Sequence, residues 1–117
     1  MTDITRLSPG PRMSQAVVYG NLVFLAGQVA LRSPGASVAD QTRDILAKTD
    51  ELLAEAGTDK TKLLSATIWL TDMDTFGEMN AVWDAWVSQG NTPARAAVEA
   101  KLAAPQFTVE IAVIAGI

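Results

Sequence analysis

The step Gly20-Asn21, set between Ala16-Val17-Val18-Tyr19 and Leu22-Val23-Phe24-Leu25-Ala26, constrains this chain more than any other feature. Two short apolar runs joined by two turn-forming residues can only fold back on each other as an antiparallel hairpin, whose two central residues are expected to supply positive φ. Gly27-Gln28 closes the second arm, where a residue without Cβ lets another backbone or a ligand come close. Upstream, Ile4 to Leu7 reads as a short strand, and Ser8-Pro9-Gly10-Pro11 stops it.

A polar loop from Arg32 to Ser37 follows. Ser37 is placed as an N-cap, with Asp40 three residues on to close a capping box. Ile45, Leu46, Thr49, Leu52, Leu53 and Ala56 then recur at helical spacing, which predicts a helix from about Val38 to Ala56 ending in a left-handed Gly57. Leu63 to Leu70 alternates as a strand does, with Leu64, Ala66, Ile68 and Leu70 on one face. Asp72-Met73-Asp74 reads as a turn with Asp74 as the next N-cap. Phe76, Met79, Asn80, Trp83 and Val87 make a second helical stripe that ends near Gln89-Gly90. Ala94 to Ala100 reads as a strand, Lys101 to Pro105 as a break, and Phe107 to Ile114 as a last strand rich in β-branched residues. The order β-β-β-α-β-α-β-β over residues 1–117 fits one α+β domain, a sheet with two helices on one face.

The 117-residue chain is 49% hydrophobic and only 19% charged, so its apolar surface is expected to exceed what one small core hides. A second subunit covering the bare sheet face is the natural remedy. The formal net charge of -4 argues against nucleic-acid binding through a basic surface. No apolar run approaches the roughly 20 residues of a membrane span, so a cytoplasmic location is expected. With no Cys and no His, thiol nucleophiles, imidazole bases and their metal sites are excluded. Chemistry must come from carboxylates, Arg, Lys, hydroxyls, backbone and water.

Arg95 opens an apolar strand, where a guanidinium needs a partner. It either makes a structural ion pair with Glu99 or Glu110 or sits at the strand end, or it grips a planar carboxylate through two parallel hydrogen bonds. Glu110, inside Thr108-Val109-Glu110-Ile111-Ala112-Val113-Ile114, either faces solvent or lines a site where it holds water or moves a proton. Asn80 interrupts an apolar helix stripe and calls for a hydrogen-bond partner. Trp69, Trp83 and Trp86 read as core or interface. The Asp72 and Asp74 carboxylates fit a capping turn better than a cation site. Spacing alone names no reaction.

Three segments resemble one family. Asn21-Leu22-Val23-Phe24-Leu25-Ala26-Gly27-Gln28 is similar to the hairpin of the Rid, or YjgF, family. Asp74-Thr75-Phe76-Gly77-Glu78-Met79-Asn80-Ala81-Val82-Trp83 resembles its second helix. Pro93-Ala94-Arg95-Ala96-Ala97-Val98-Glu99-Ala100, with Val109-Glu110-Ile111 after it, resembles its C-terminal motifs. Together they span nearly the whole chain in order. The resemblance implies a chorismate-mutase-like fold of the bacillary type and a barrel-like homotrimer with clefts between neighbouring subunits. It implies a hydrolase that deaminates reactive 2-imino and 2-enamino acids of the 2-aminoacrylate type, such as 2-iminobutanoate and 2-iminopropanoate, to 2-keto acids and ammonia. Arg95 would hold the substrate carboxylate and Glu110 would position water, with Gly27, Gln28, Asn80, Ala97 and Met13 lining the cleft. An imine carbon is already electrophilic, so no metal or organic cofactor is expected.

The chain also departs from the family pattern. Met13 stands where many members have Tyr, Ala26 where many have Ser, and Ala97 where many have Cys. The loop before Pro93 is shorter than in many members. Arg12 is either a second positive charge at the cleft mouth or a solvated loop residue. These departures leave two alternatives to the deaminase: a trimeric module that binds a small carboxylate such as a 2-keto acid without turning it over, and, with less support, an endoribonuclease or translation inhibitor.

Overall fold

Gly20 turns the chain at φ 62 and is the only residue of its turn with positive φ. The step is therefore of the II′ kind, with glycine at the first central position, rather than the doubly positive turn expected from Gly20-Asn21. The computed structural model describes residues 3–117. The hairpin joins strand β2 (Ala16–Tyr19) to β3 (Leu22–Leu25), with Tyr19 opposite Leu22. Strand β1 (Ile4–Leu7) pairs with the outer side of β2. Helix α1 covers Val38–Glu55, strand β4 Leu63–Leu70, helix α2 Phe76–Trp86, strand β5 Ala94–Glu99 and strand β6 Val109–Gly116. The element order is the expected one, with two short 3₁₀ turns added before β4 and α2.

The sheet runs β1-β2-β3-β6-β4-β5. The last strand therefore enters the middle, antiparallel to β3 on one side and to β4 on the other. Only β4 and β5 run parallel, as a β-α-β connection through α2 requires. Alternation then fixes the two faces. Val23, Leu25, Ala66, Ile68, Leu70, Val109, Ile111, Val113 and Ala115 are buried on one face, where Ile45, Leu46 and Leu53 of α1 and Met79 and Trp83 of α2 pack. Their register partners' neighbours, including Tyr19, Phe24, Trp69, Glu110, Ala112 and Ile114, point to the other face, which no element among the described residues covers.

A side-chain cap marks where α1 begins. Ser37 Oγ accepts from the Asp40 amide at 3.1 Å, as expected, but the Asp40 carboxylate takes Arg43 at 2.7 Å instead of closing a capping box. Gly57 ends α1 at φ 86. The Asp74 cap is corrected: Asp72 is the residue that caps, its Oδ1 accepting from the Asp74 amide at 2.9 Å, and α2 itself starts without a side-chain cap. Helix α2 stops at Trp86 rather than near Gly90 because Val87 is already extended. Strand β6 begins at Val109, two residues later than the alternation predicts.

Gln41 had no sequence signal beyond its helix, yet it is fully buried. Its Nε2 donates to the carbonyls of Ala36 and Gln106, both at 3.0 Å, and its Oε1 accepts from the Thr108 amide at 3.0 Å. One side chain thus pins the loop before α1 to the loop that feeds β6 into the sheet. Replacing it with a similarly shaped apolar residue leaves these backbone groups buried and unpaired. Gln41→Leu is expected to cost about 1–3 kcal/mol of stability, read by urea denaturation at fixed protein concentration.

Candidate functional site

Arg95 lies on β5, an edge strand. Register pairs Ala66 with Arg95, Ile68 with Ala97 and Leu70 with Glu99, so these three β5 side chains face the helix layer. Helix α2 meets them with Phe76, Asn80 and Trp83, spaced i, i+4 and i+7 on one side of the helix. Arg95 Nη1 donates to Asn80 Oδ1 at 2.8 Å. Its Cζ stands 5.6 Å from the centroid of Phe76 and 5.4 Å from that of Trp83. Such cation–π contacts are each worth about 0.5–1 kcal/mol at exposed sites. The structural ion-pair reading is corrected here. Glu99 Oε1 instead accepts from the Met73 amide at 2.8 Å, and the ion pairs among the described residues are Arg32–Glu51 and Arg43–Asp40. Among the described residues, the guanidinium is held by neutral groups alone.

Glu110 sits on the opposite face, in register with Trp69 of β4. Its carboxylate folds over Gly27: a Cβ built there would meet Glu110 Oε2 within a forbidden distance and Glu110 Cδ at 2.9 Å. The absence of a side chain at Gly27 is what lets the carboxylate lie there; the sequence suggested a close approach, but by backbone or ligand rather than by this side chain. The backbone is shaped for it. Phe24 pairs with Ile114, whereas Gln28 bridges Ile111, so four steps on one strand match three on the other. The extra residue is a bulge, a common way to re-aim a side chain beside a site.

Gln28 is nearly fully buried. Its amide donates to Gln15 Oε1 and to the Ala26 carbonyl, each at 3.1 Å, and its backbone exchanges two hydrogen bonds with Ile111. It holds Gly27 and Glu110 in place from the core side. Ala26 is fixed by its amide to the Gln15 carbonyl at 2.9 Å. Met13 is half exposed on the loop before β2, and its carbonyl accepts from the Gly10 amide. Ala97 is partly buried against the core, two residues along the same strand face as Arg95.

The sequence-predicted residues thus fall into two groups on opposite faces of the sheet. Arg95, Asn80 and Ala97 make one at the β5 edge, and Gly27, Gln28 and Glu110 make the other on the bare face. Within one chain the sheet itself separates Arg95 from Glu110. Phe76 and Trp83 belong to the first group and were read from the sequence only as helix stripe and core. A separate groove of about 480 Å³ runs between α1 and α2, lined by Ala39, Leu46, Ala81, Val82 and Trp86 among others. It holds none of these residues, and alanines facing each other across two helices account for it.

An α+β domain with an apolar uncovered sheet face, an edge arginine free of counter-charge and a carboxylate laid over a glycine bulge defines a recognisable class. The family described as Endoribonuclease L-PSP matches residues 4–117, and the chain belongs to that family, the YjgF/Rid group. It is 41% identical over 112 residues to a RutC family protein of Haemophilus influenzae, covering 96% of this chain and 97% of that one. It is 32% identical over 108 residues to the rat 2-iminobutanoate/2-iminopropanoate deaminase, covering 87% of this chain and 77% of the rat protein. A crystal structure of a YjgF family member from Neisseria meningitidis superposes with a TM-score of 0.94 at 50% identity, covering 97% of this chain and 94% of that one.

The Gly27–Glu110 contact makes a structural prediction. A crystal structure of Gly27→Ala is expected to show an unchanged main chain, since Gly27 needs no positive φ, and a Glu110 carboxylate swung off the bulge.

Proposed function

We propose that the protein hydrolyses 2-imino and 2-enamino acids to 2-keto acids and ammonia, in a cleft completed by a second copy of the chain. The observation that carries this reading is the state of Arg95: a guanidinium fixed in place with no carboxylate paired to it. Such a group is prepared for an external planar anion. The rat relative's name gives the same chemistry for that protein.

The reaction asks little of the residues. Arg95 holds the substrate carboxylate and so fixes the imine carbon. Glu110 holds a water against that carbon and takes a proton as the C–O bond forms. The resulting carbinolamine loses ammonia once its nitrogen is protonated, leaving the keto group. Water is consumed, one ammonia is released and no electrons change hands. Because Arg95 and Glu110 lie on opposite faces of the sheet, a single chain offers no such arrangement. An edge strand of one subunit laid against the bare face of the next supplies it, in keeping with a homotrimer.

Ala26 and Ala97 carry methyl groups where a hydroxyl or thiol is common in this family. That favours a second reading, retention of a small carboxylate without turnover. The ribonuclease named in the family's description draws no support from a chain of net charge -4 without His.

An amino-acid oxidase that generates 2-imino acids, with semicarbazide trapping what remains, tests the reaction. Wild type is expected to deplete the trapped imine. Arg95→Ala should lose roughly 10- to 100-fold in rate, the worth of a charge-assisted hydrogen bond. Saturable binding of a 2-keto acid with no depletion would replace the deaminase with the binding module. Mixing tests the shared cleft. Arg95→Ala and Glu110→Ala chains, each strongly impaired alone, are expected to recover part of the wild-type rate when unfolded and refolded together. Failure to recover, with mixed oligomers confirmed by mass, would place both residues in one chain's site.

A further inference from the structure

We propose that Asn80, Phe76 and Trp83 form a charge-neutral cradle that presents Arg95 with its positive charge uncancelled, and that Asn80 is thereby the positioning residue that makes this site demand an anionic ligand. The inference rests on reading Arg95 as the carboxylate clamp.

The arrangement is built by one helix face. Residues 76, 80 and 83 follow each other at i, i+4 and i+7 along α2 and converge on one guanidinium. Trp83 is 5% exposed and locked into the core, so its ring is a fixed floor. Aromatic rings attract a cation through their quadrupoles without carrying formal charge. Asn80 occupies a single N–H, on Nη1, and leaves the Nη2 and Nε side of the fork for a bidentate partner.

The choice of amide at position 80 is the telling one. Asn and Asp have nearly the same shape. An Asp there would reach the same Nη1 atom, pair with the guanidinium and cancel its charge. The site would keep its geometry and lose its attraction for an anion. Glu99, the other charged residue on that strand face, lies four residues along β5 and is engaged by the Met73 amide. No acid among the described residues, Asp84 one turn beyond Asn80 included, forms an ion pair with the guanidinium.

The experiment compares two ligands of equal size, 2-oxobutanoate and its neutral amide, by isothermal or NMR titration of the intact protein. Wild type is expected to prefer the carboxylate by about tenfold or more. Asn80→Asp should bring that ratio close to one while Tm stays level or rises, because a new ion pair forms. Asn80→Ser, a shorter neutral acceptor, should weaken both ligands and keep the preference. If Asn80→Asp retains the preference, or loses both ligands equally with a lowered Tm, Asn80 is structural and the proposal fails. Titration needs no turnover, so a protein that prefers the carboxylate but leaves imines intact overturns the deaminase and not the cradle. A wild type without preference overturns the cradle together with the clamp.

Discussion

Everything in this fold depends on β6 being accepted into the middle of the sheet. The last strand pairs with the early hairpin through Phe24↔Ile114 and with β4 through Ile68↔Ile111. Closing so long a loop costs entropy, though only logarithmically in its length. Burial of Val109, Ile111, Val113 and Ala115 under the helices offsets that cost. Gln41 secures the approach, satisfying backbone groups on both loops that deliver β6. The same insertion lays Glu110 over Gly27. Core assembly and site assembly are one event on this side of the molecule.

Helix α2 does the equivalent work on the other side. Its Met79 and Trp83 are core, while Phe76 and Asn80 look along the sheet to the β5 edge. A β-α-β connection forces β5 to lie parallel beside β4, and that parallel register turns Arg95 toward the helix rather than away from it. The polar residue in the apolar stripe is therefore consistent with the packing: it faces the one cation that the strand presents. The sheet then divides the chemistry, with a positive group on one face and a carboxylate on the other. The uncovered apolar face and the edge strand are the surfaces through which a second copy would join them.

Most of the fold was legible in the sequence because its periodicities are strong. The Ala66–Leu70 alternation, the Ile45-to-Ala56 stripe and the Gly20 step each point to one local structure, and each formed. Leu64 is the exception: a register shift between Leu63 and Ser65 turns Leu63 inward in its place and leaves Leu64 half exposed. The misreadings are local competitions. Asp72 and Asp74 are equally good caps by type, and the backbone chose the one that closes an Asx turn. Asn21 is tolerated with negative φ once Gly20 takes the positive one. The candidate site residues were named one by one from the family motifs around Gly27, Asn80, Arg95 and Glu110, and the structure groups Asn80 with Arg95 and Gly27 with Glu110. Arg95's partner was not: spacing favoured an acid, and the partner is an amide on a helix.

The sequence by itself determined the elements, their order and the residue types on which chemistry must rest, because side-chain period, turn residues and the absence of His and Cys are local facts. The tertiary structure alone decided which faces those elements share. It placed β6 between β3 and β4, buried Gln41 between two loops, set Glu110 on a glycine bulge and surrounded Arg95 with neutral groups. These are contacts between residues far apart in the chain, and their energies depend on register and burial, which no window of sequence contains.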